Sequence, residues 1–184
     1  MAKRKRARRT SRPAPKEAPN PWIDVHEHGR NLHIGHFLTV QLFRLANAVK
    51  ASVTRRYLAE FGLSVPEWRL LAMTVRFEPV RFSELVANSS MDKGQASRTL
   101  QMLTKRGLIN SRSTGGARRT GEGAVSPVIL TTTAKGRQLY RTVLPVAQRN
   151  QARLLLLLTR HEREILHRVL AKLFAATGSP DRMA

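Results

Sequence analysis

The stretch FSELVANSSMDKGQASRTLQMLTKR, residues 82–106, decides the fold of this chain. Its first part, 82–90, predicts a short amphipathic helix that a polar break at 88–90 ends. In the second part, 91–106, Ala96, Leu100 and Leu103 recur at the i, i+4, i+7 spacing that buries one face of a helix. Gly107 follows, as is common at a helix C-terminus. Two short helices joined by a tight break predict a helix-turn-helix.

A strand pair follows the second helix. Residues 108–113 (LINSRS) alternate like a strand, and 128–131 (VILT) predict its returning partner. The intervening loop, 114–126, carries four glycines and the pair Arg118 and Arg119, which the negative potential of a minor groove would attract. An ordinary solvated hairpin is the alternative. Because the hairpin directly follows a basic helix, we favour the wing of a winged helix-turn-helix.

The polar face of the second helix points to duplex DNA. It consists of side chains that bond phosphates and base edges: Lys93, Gln95, Ser97, Arg98, Gln101 and Lys105. Arg and Gln can each bond a base bidentately in the major groove. Asp92 and Gln95 also fit a capping box, so Gln95 is a structural cap, a base reader or both, and Ser90 is an alternative cap.

The charge of the chain agrees with a polyanionic partner. Its 184 residues hold 33 Lys and Arg against 12 Asp and Glu, a formal net charge of +21. Residues 1–20 contribute eight basic and one acidic side chain, and residues 91–137 contribute nine and two. Two thirds of the excess charge therefore lies in an N-terminal arm and in the predicted DNA-binding face.

Composition also excludes several classes of protein. With no cysteine there is no disulfide, thiolate zinc site or thiol switch. The longest apolar run, 154–158, is far shorter than the roughly 18 residues of a membrane span, so we expect no membrane partner. The N-terminus lacks the apolar core of a secretory signal. A basic arm that adds nonspecific DNA affinity explains it more simply than a transit or nuclear localisation signal.

The chain divides into four predicted parts. Residues 1–30 are a disordered basic tail, because their prolines and charges cannot bury enough apolar surface. Residues 31–62 are an N-terminal dimerisation helix region that Gly62 ends, and 63–136 are the winged helix-turn-helix, whose first helix opens at Pro66. Residues 137–177 are C-terminal dimerisation helices, with a kink or break at Pro145 and a last helix from about 160 to 176. The predicted fold class is thus mainly α with a small β-hairpin wing (α+β).

Both helical ends are rich in apolar residues, which implies a homodimer. A small winged domain has too little of its own chain to cover them, whereas symmetric pairing hides both. A two-fold dimer would present two recognition helices to successive major grooves about 34 Å apart, so we expect a palindromic site. An additional helical layer within the chain is the alternative.

Five motifs in order resemble the MarR family of bacterial transcriptional regulators. They are LSVPEWRLL (63–71), FSELVA (82–87), MDKGQASR (91–98), LTKRGLI (103–109) and LTTTAKG (130–136). The resemblance covers about residues 32–176. It implies a homodimer with intertwined helical ends that binds palindromic promoter DNA, usually represses, and often releases DNA when a small aromatic or phenolic ligand binds.

The chain departs from the family pattern at two places. The family's wing tip resembles Asp-x-Arg-x-Arg, whereas residues 115–119 read GGARR, without the aspartate, and the loop runs longer. Gly94 stands where a serine is usual, which removes a hydroxyl from the recognition helix. Wing geometry and operator sequence are therefore the least transferable features.

The resemblance also places an effector pocket between the dimerisation helices and the DNA-binding lobe. Its candidate lining residues are His36, Phe37, Trp68, Arg69 and Met73. Aromatic side chains beside an arginine suit an aromatic carboxylate. Taken singly, Phe37 and Met73 are more typical of a core, and Trp68 fits either role.

No pattern indicates catalysis, so we expect no enzyme and no cofactor. The sequence has no nucleophile elbow, phosphate loop or metal-hydrolase motif. A metal site at the cluster of His26, His28, His33 and His36 is a minor alternative, since cysteine is absent and carboxylates are few. The main rival to a promoter-specific repressor in the bacterial cytoplasm and nucleoid is a nonspecific DNA- or RNA-binding architectural protein.

Overall fold

The computed structural model describes residues 20–89, 91–113 and 127–177. These residues form two compact units, the first ending at Ala46 and the second beginning at Asn47. The predicted fold class is confirmed: the second unit is mainly helical and contains a small three-stranded antiparallel sheet. No helix in the described ranges is long and apolar enough to cross a membrane.

The first unit contains a 3-10 turn, Ile34–His36, and the beginning of helix α1 (Leu38–Val49). The indole Nε1 of Trp22 donates to the carbonyl of His36 at 2.6 Å. Asn31 accepts from the N–H of His26 at 3.0 Å and donates to the carbonyl of Asp24. Hydrogen bonds therefore connect residues 20–36, and residues 20–30 of this stretch belong to the segment in which composition predicts disorder.

Helical structure continues beyond α1 as predicted. A π-helical segment, Lys50–Thr54, leads into α2 (Arg55–Ala59). Gly62 then adopts a φ of +62°, a left-handed conformation that glycine allows without a Cβ clash. Helix α3 (Val65–Phe77) begins with a capping box, in which Ser64 accepts from the N–H of Glu67 and the Glu67 carboxylate accepts from the N–H of Ser64.

Helix α3 is the first element of the winged helix-turn-helix. The others are β1 (Val80–Arg81), α4 (Phe82–Ser89), α5 (Lys93–Lys105), β2 (Ile109–Ser113) and β3 (Val128–Thr132). The strands lie in the order β1-β3-β2. Leu130 of the central strand β3 is paired with Val80 of β1 on one side and with Ser111 of β2 on the other. The hairpin was predicted, but β1 was not, because a two-residue strand is too short to show alternation.

Two apolar clusters hold the second unit together. The larger joins α3, α4, α5 and the sheet through buried side chains that include Leu70, Leu85, Leu103 and Leu130. The smaller joins α2 to α6 through Tyr57, Leu58, Leu63, Val143 and Ala147. The predicted buried face of α5 is confirmed, since Ala96 and Leu103 are fully buried and Leu100 packs against the same cluster.

Two helices complete the chain. Helix α6 (Ala134–Leu155) begins at Thr133, whose Oγ1 accepts from the N–H of Gly136. It runs through Pro145 without a break, so of the predicted kink or break the structure excludes the break: one missing N–H donor does not end a helix of 22 residues held by neighbouring turns. Helix α7 (Arg160–Ala176) has the predicted limits and a capping box between Thr159 and Glu162.

Candidate nucleic-acid interface

The start of α5 is built by its N-cap. Asp92 has extended backbone, and its Oδ1 accepts from the N–H of Gln95 at 2.7 Å. Within the described residues, the returning bond from the Gln95 side chain to Asp92 is not formed. The backbone N–H of Gln95 thus takes part in the cap, whereas its half-buried side chain does not. The carboxylate also complements the positive end of the helix dipole.

The predicted DNA-binding residues of α5 lie on its open side. Lys93, Arg98, Gln101 and Lys105 are exposed, and Ser97 is half-buried. This side lies opposite the buried residues Ala96 and Leu103, so α5 has one apolar face and one polar face. The structure brings these residues together on one helix face, as their spacing predicted.

Arg98 lies over the start of α5. A Cβ built on Gly94 would be 3.4 Å from Arg98 Nη1 and 3.2 Å from Asp92 Oδ1. The glycine that replaces the family's usual serine therefore leaves space that the guanidinium occupies. Arg98 reaches back along the helix towards its N-terminal end, the end that meets base edges in helix-turn-helix proteins.

One exposed apolar residue of α5 was missed by the sequence analysis. Met102 is 53% exposed, one turn beyond Arg98 and beside Gln101. An apolar side chain at such a position can contact a thymine methyl group. The sequence already indicated that Met102 is exposed, because it falls outside the i, i+4, i+7 series of buried positions.

Long-range contacts fix the end of α5. The Nη1 atom of Arg106, the C-cap, donates to Glu67 Oε1 at 2.7 Å and to the Gly62 carbonyl at 2.9 Å. From α6, Lys135 Nζ donates to the Arg106 carbonyl at 2.9 Å, and Thr133 Oγ1 donates to the Gly107 carbonyl at 2.7 Å. Both ends of α5 are thus held, which positions its open face.

The ion pair at this junction changes the ionisation of Glu67. Burial raises the pKa of Glu67, but hydrogen bonds from Ser64 and Arg106 and the charge of Arg106 outweigh it. The net result is a pKa below the ordinary value, because these donors favour the charged carboxylate. Glu78 behaves likewise: burial raises its pKa, but hydrogen bonds from Thr132 and Arg137 hold it below the ordinary value.

The base of the wing adds two cations. Arg81 on β1 and Arg112 on β2 both lie opposite Ile129 of β3, so they flank it on one face of the sheet. Both arginines are exposed. Arg118 and Arg119, the predicted wing-tip residues, lie outside the described residues.

The predicted effector residues are distributed over both units. His36 and Phe37 belong to the first unit, and the Phe37 side chain is exposed rather than in a core. In the second unit, the Trp68 ring stacks on Tyr140 with centroids 5.6 Å apart, and Met73 is buried in the larger cluster. These two positions are packing positions.

Arg69 occupies a different environment. Its Nη1 donates to the carbonyl of Ser89 at 3.2 Å and so binds the last residue of α4. It also lines a cleft of about 510 Å³ that reaches from Lys50 and Arg55 to Gln95 of α5. We call this the effector cleft. Its apolar lining is formed by Leu63, Val65, Pro66 and Met91.

The histidines do not assemble a metal site in the part of the chain that is described. Among those residues no three His, Asp or Glu side chains are placed to hold one ion. His26 and His28, and likewise His33 and His36, form ring contacts instead, with centroids 5.5 and 6.0 Å apart.

Comparisons with known proteins agree with this geometry. The model of the MarR family matches residues 61–120. A MarR/EmrR family regulator from Acinetobacter sp. ADP1 is similar over 80% of this chain and 99% of its own, at 22% identity and a TM-score of 0.67. A MarR family protein of Mycobacterium tuberculosis, solved with salicylic acid, is similar over 74% and 95%, at 25% identity and a TM-score of 0.56. No curated protein matches in sequence.

These similarities confirm the resemblance to the MarR family. The matched residues begin just after α2 and include α3, β1, α4, α5 and β2. The chain has the winged helix fold of MarR-family transcriptional regulators.

Proposed function

We propose that this chain, whose DNA-binding unit matches the MarR family, is a homodimeric, sequence-specific transcriptional regulator that represses palindromic promoters. The observation that carries the proposal is α5: a helix held at both ends, buried through Ala96 and Leu103, with cations and amides on its open face. We place it in the bacterial cytoplasm, at the nucleoid, without enzymatic activity. An architectural protein needs no such ordered reading surface.

The geometry of α5 and the sheet supports the following DNA contacts. Arg98, Gln95 and Gln101 would read base edges in the major groove, while Lys93 and Ser97 would bond phosphates. Met102 adds an apolar contact. Arg118 and Arg119 would enter the minor groove from the wing, and Arg112 at its base would meet the adjacent backbone.

Exposed apolar surface supports the dimer. Helix α7 carries Ile165, Leu166, Val169 and Phe174, each more than a third exposed. Leu156 and Leu157, at 68% and 80% exposed, precede it. A second copy of the chain would remove this surface from water, at about 25 cal/mol of free energy per Å² of apolar surface buried.

The effector cleft supports a response to a small aromatic acid or phenol. Lys50, Arg55 and Arg69 supply positive charge around an apolar lining, which suits a ring with one carboxylate. The Mycobacterium tuberculosis neighbour was solved with salicylic acid. Because Gln95 lines the same cleft, a bound ligand would contact the helix that reads DNA. His36 and Phe37, which belong to the first unit, stay candidate ligand-binding residues on the family resemblance alone.

The proposal is tested by comparing the chain's own upstream intergenic DNA with random DNA of equal length at about 150 mM salt, where nonspecific affinity is weak. We expect a preference of about 10³-fold or more and a protected palindrome. Arg98→Ala should cost about 1–3 kcal/mol on that site and less on random DNA. Arg141→Ala, an exposed arginine of α6, is the matched control.

Equal affinity for both DNAs, with no site recovered by genome-wide selection, would instead favour the architectural protein. The ligand part is tested separately by calorimetric titration with a panel of aromatic acids. Arg55→Gln should weaken any binding, and a panel without heat or DNA release would remove the effector from the proposal.

A further inference from the structure

A second cleft lies in the second unit, beside the smaller apolar cluster. It has a volume of about 520 Å³ and lies between α2, with the π-helical segment before it, and α6. The two helices pack through Tyr57, Val143 and Ala147 in the smaller apolar cluster. The cleft opens beside that contact, so a packed core fixes the spacing of its two walls.

Three arginines line the two walls of this cleft. Arg56 comes from α2, and Arg149 and Arg153, one turn apart, come from α6. One carboxylate, Glu60, lines the cleft with them. In the described ranges none of the four forms an ion pair, since arginine–carboxylate pairs involve other residues. The side chains that line the cleft therefore carry a net charge of +2, and among the described residues no ion pair neutralises it.

A buried phenol adds a neutral donor to the cleft. Tyr57 lines it although only 7% of its surface is exposed. That burial raises the pKa of Tyr57 above its ordinary value, so the hydroxyl stays protonated at neutral pH. By contrast, Ser52 and Asn150 already donate to carbonyls of their own helices. The guanidinium groups, the phenol and the second N–H of the Asn150 amide are the donors left for a ligand.

We propose that this arginine cleft, defined by Arg56, Tyr57, Glu60, Arg149 and Arg153, binds a small oxyanion with at least two negative charges, of the pyrophosphate or organic phosphate class. Guanidinium groups bond phosphate oxygens bidentately, and two charges match the net charge of the cleft. The volume is that of a small-molecule site. The site is separate from the effector cleft, which has an apolar lining suited to a ring.

The probe is inorganic pyrophosphate, titrated calorimetrically into the full chain without DNA at about 50 mM salt, where charges are little screened. Arg149→Gln should weaken binding at least tenfold. Arg149→Lys, which keeps the charge but loses the bidentate fork, should give a smaller loss. Arg141→Gln, on the same helix but outside the cleft, should leave affinity within twofold.

Glu60→Gln gives the sharpest test, because it should raise the affinity for pyrophosphate, whereas the Arg149 variants should lower it. Removing the carboxylate that faces the anion should tighten pyrophosphate binding severalfold, which loss of a structural contact would not do. Thermal melts of each variant confirm folding. Absence of binding, or equal losses in the Arg149 and Arg141 variants, would show only diffuse attraction to a basic chain and overturn the proposal.

DNA offers the same phosphate chemistry, so each variant is also measured on random duplex. The proposal expects Arg149→Gln to leave duplex affinity within twofold. A parallel loss of pyrophosphate and duplex binding would assign these arginines to the DNA backbone and overturn it.

Discussion

Gly136 is the position where one methyl group should do the most damage. It lies in the first turn of α6, against the end of the winged helix-turn-helix. A Cβ at this residue would be 2.0 Å from the carbonyl oxygen of Leu108 and 3.0 Å from its carbon. Cβ atoms essentially never approach closer than 3.0 Å, so α6 would have to retreat by about 1 Å.

The expected cost of Gly136→Ala follows from that overlap. Overpacking of this kind costs about 1–3 kcal/mol, and the obstacle is backbone, which cannot rotate away. Alanine stabilises a helix by up to about 1 kcal/mol relative to glycine, because its helix propensity is higher, and this offsets part of the cost. We therefore expect a net loss of about 1–2 kcal/mol, or a melting temperature lower by about 2–8 °C for a chain of this size.

Gly94→Ala is the matched control, since it also places alanine in a first helical turn. Its Cβ would lie 3.2 Å from Asp92 Oδ1, so this oxygen would have to shift by only a few tenths of an ångström and would keep its hydrogen bond from the Gln95 N–H. We expect no loss of stability beyond about 0.5 kcal/mol there. Both variants are compared by urea unfolding, followed by circular dichroism at one protein concentration, because a dimer's stability depends on concentration.

DNA binding gives a second readout of Gly136→Ala. Retreat of α6 would stretch the bonds from Lys135 to the Arg106 carbonyl and from Thr133 to the Gly107 carbonyl. Operator affinity should then fall even at temperatures where the variant is folded. If Gly136→Ala unfolds within about 0.5 kcal/mol of the parent chain, the close approach of α6 to Leu108 is wrong.

Three further predictions concern acid stability, association and the N-terminal arm. The lowered pKa of Glu67 adds stability above the unfolded value of about 4.3, which is lost as pH falls through the folded pKa. Glu67→Gln should therefore destabilise the fold at pH 7 and make the urea midpoint depend less on pH between pH 7 and pH 3. An unchanged dependence of the midpoint on pH would contradict this. Leu166→Glu should convert dimers to monomers in sedimentation velocity, whereas Arg168→Gln should not, and unchanged association in the glutamate variant would place the interface elsewhere. Deleting residues 1–20 should weaken binding to all DNA and reduce the salt dependence of the affinity; an unaltered slope would show that the arm does not touch DNA.

Local patterns predicted most of the fold, because the forces that form these elements act over a few residues. The capping residues Ser64, Asp92 and Thr159 lie within three positions of the N–H groups they satisfy. The burial of Ala96 and Leu103 follows from helical period alone. For the same reason the open face of α5 could be read from spacing.

Contacts between distant residues were decided only by the tertiary structure. Strand β1 exists because Val80 meets Leu130, fifty residues later, and nothing in its two residues predicts a strand. Arg106 is tied to Glu67 rather than directed at DNA, and Arg69 binds the end of α4. Such pairings depend on where packing places each backbone, which periodicity along one helix does not encode.

The sequence by itself thus determined the class of fold, the polar face of the helix that we propose to face DNA and the excess of positive charge. The tertiary structure decided which residues hold that helix in place. It also decided which cationic side chains lie near one another, such as Arg56 and Arg149, which line the same cleft. The physical reason is range: capping and amphipathicity are satisfied within a turn or two, whereas a cleft is formed only when two separate helices pack through a shared core.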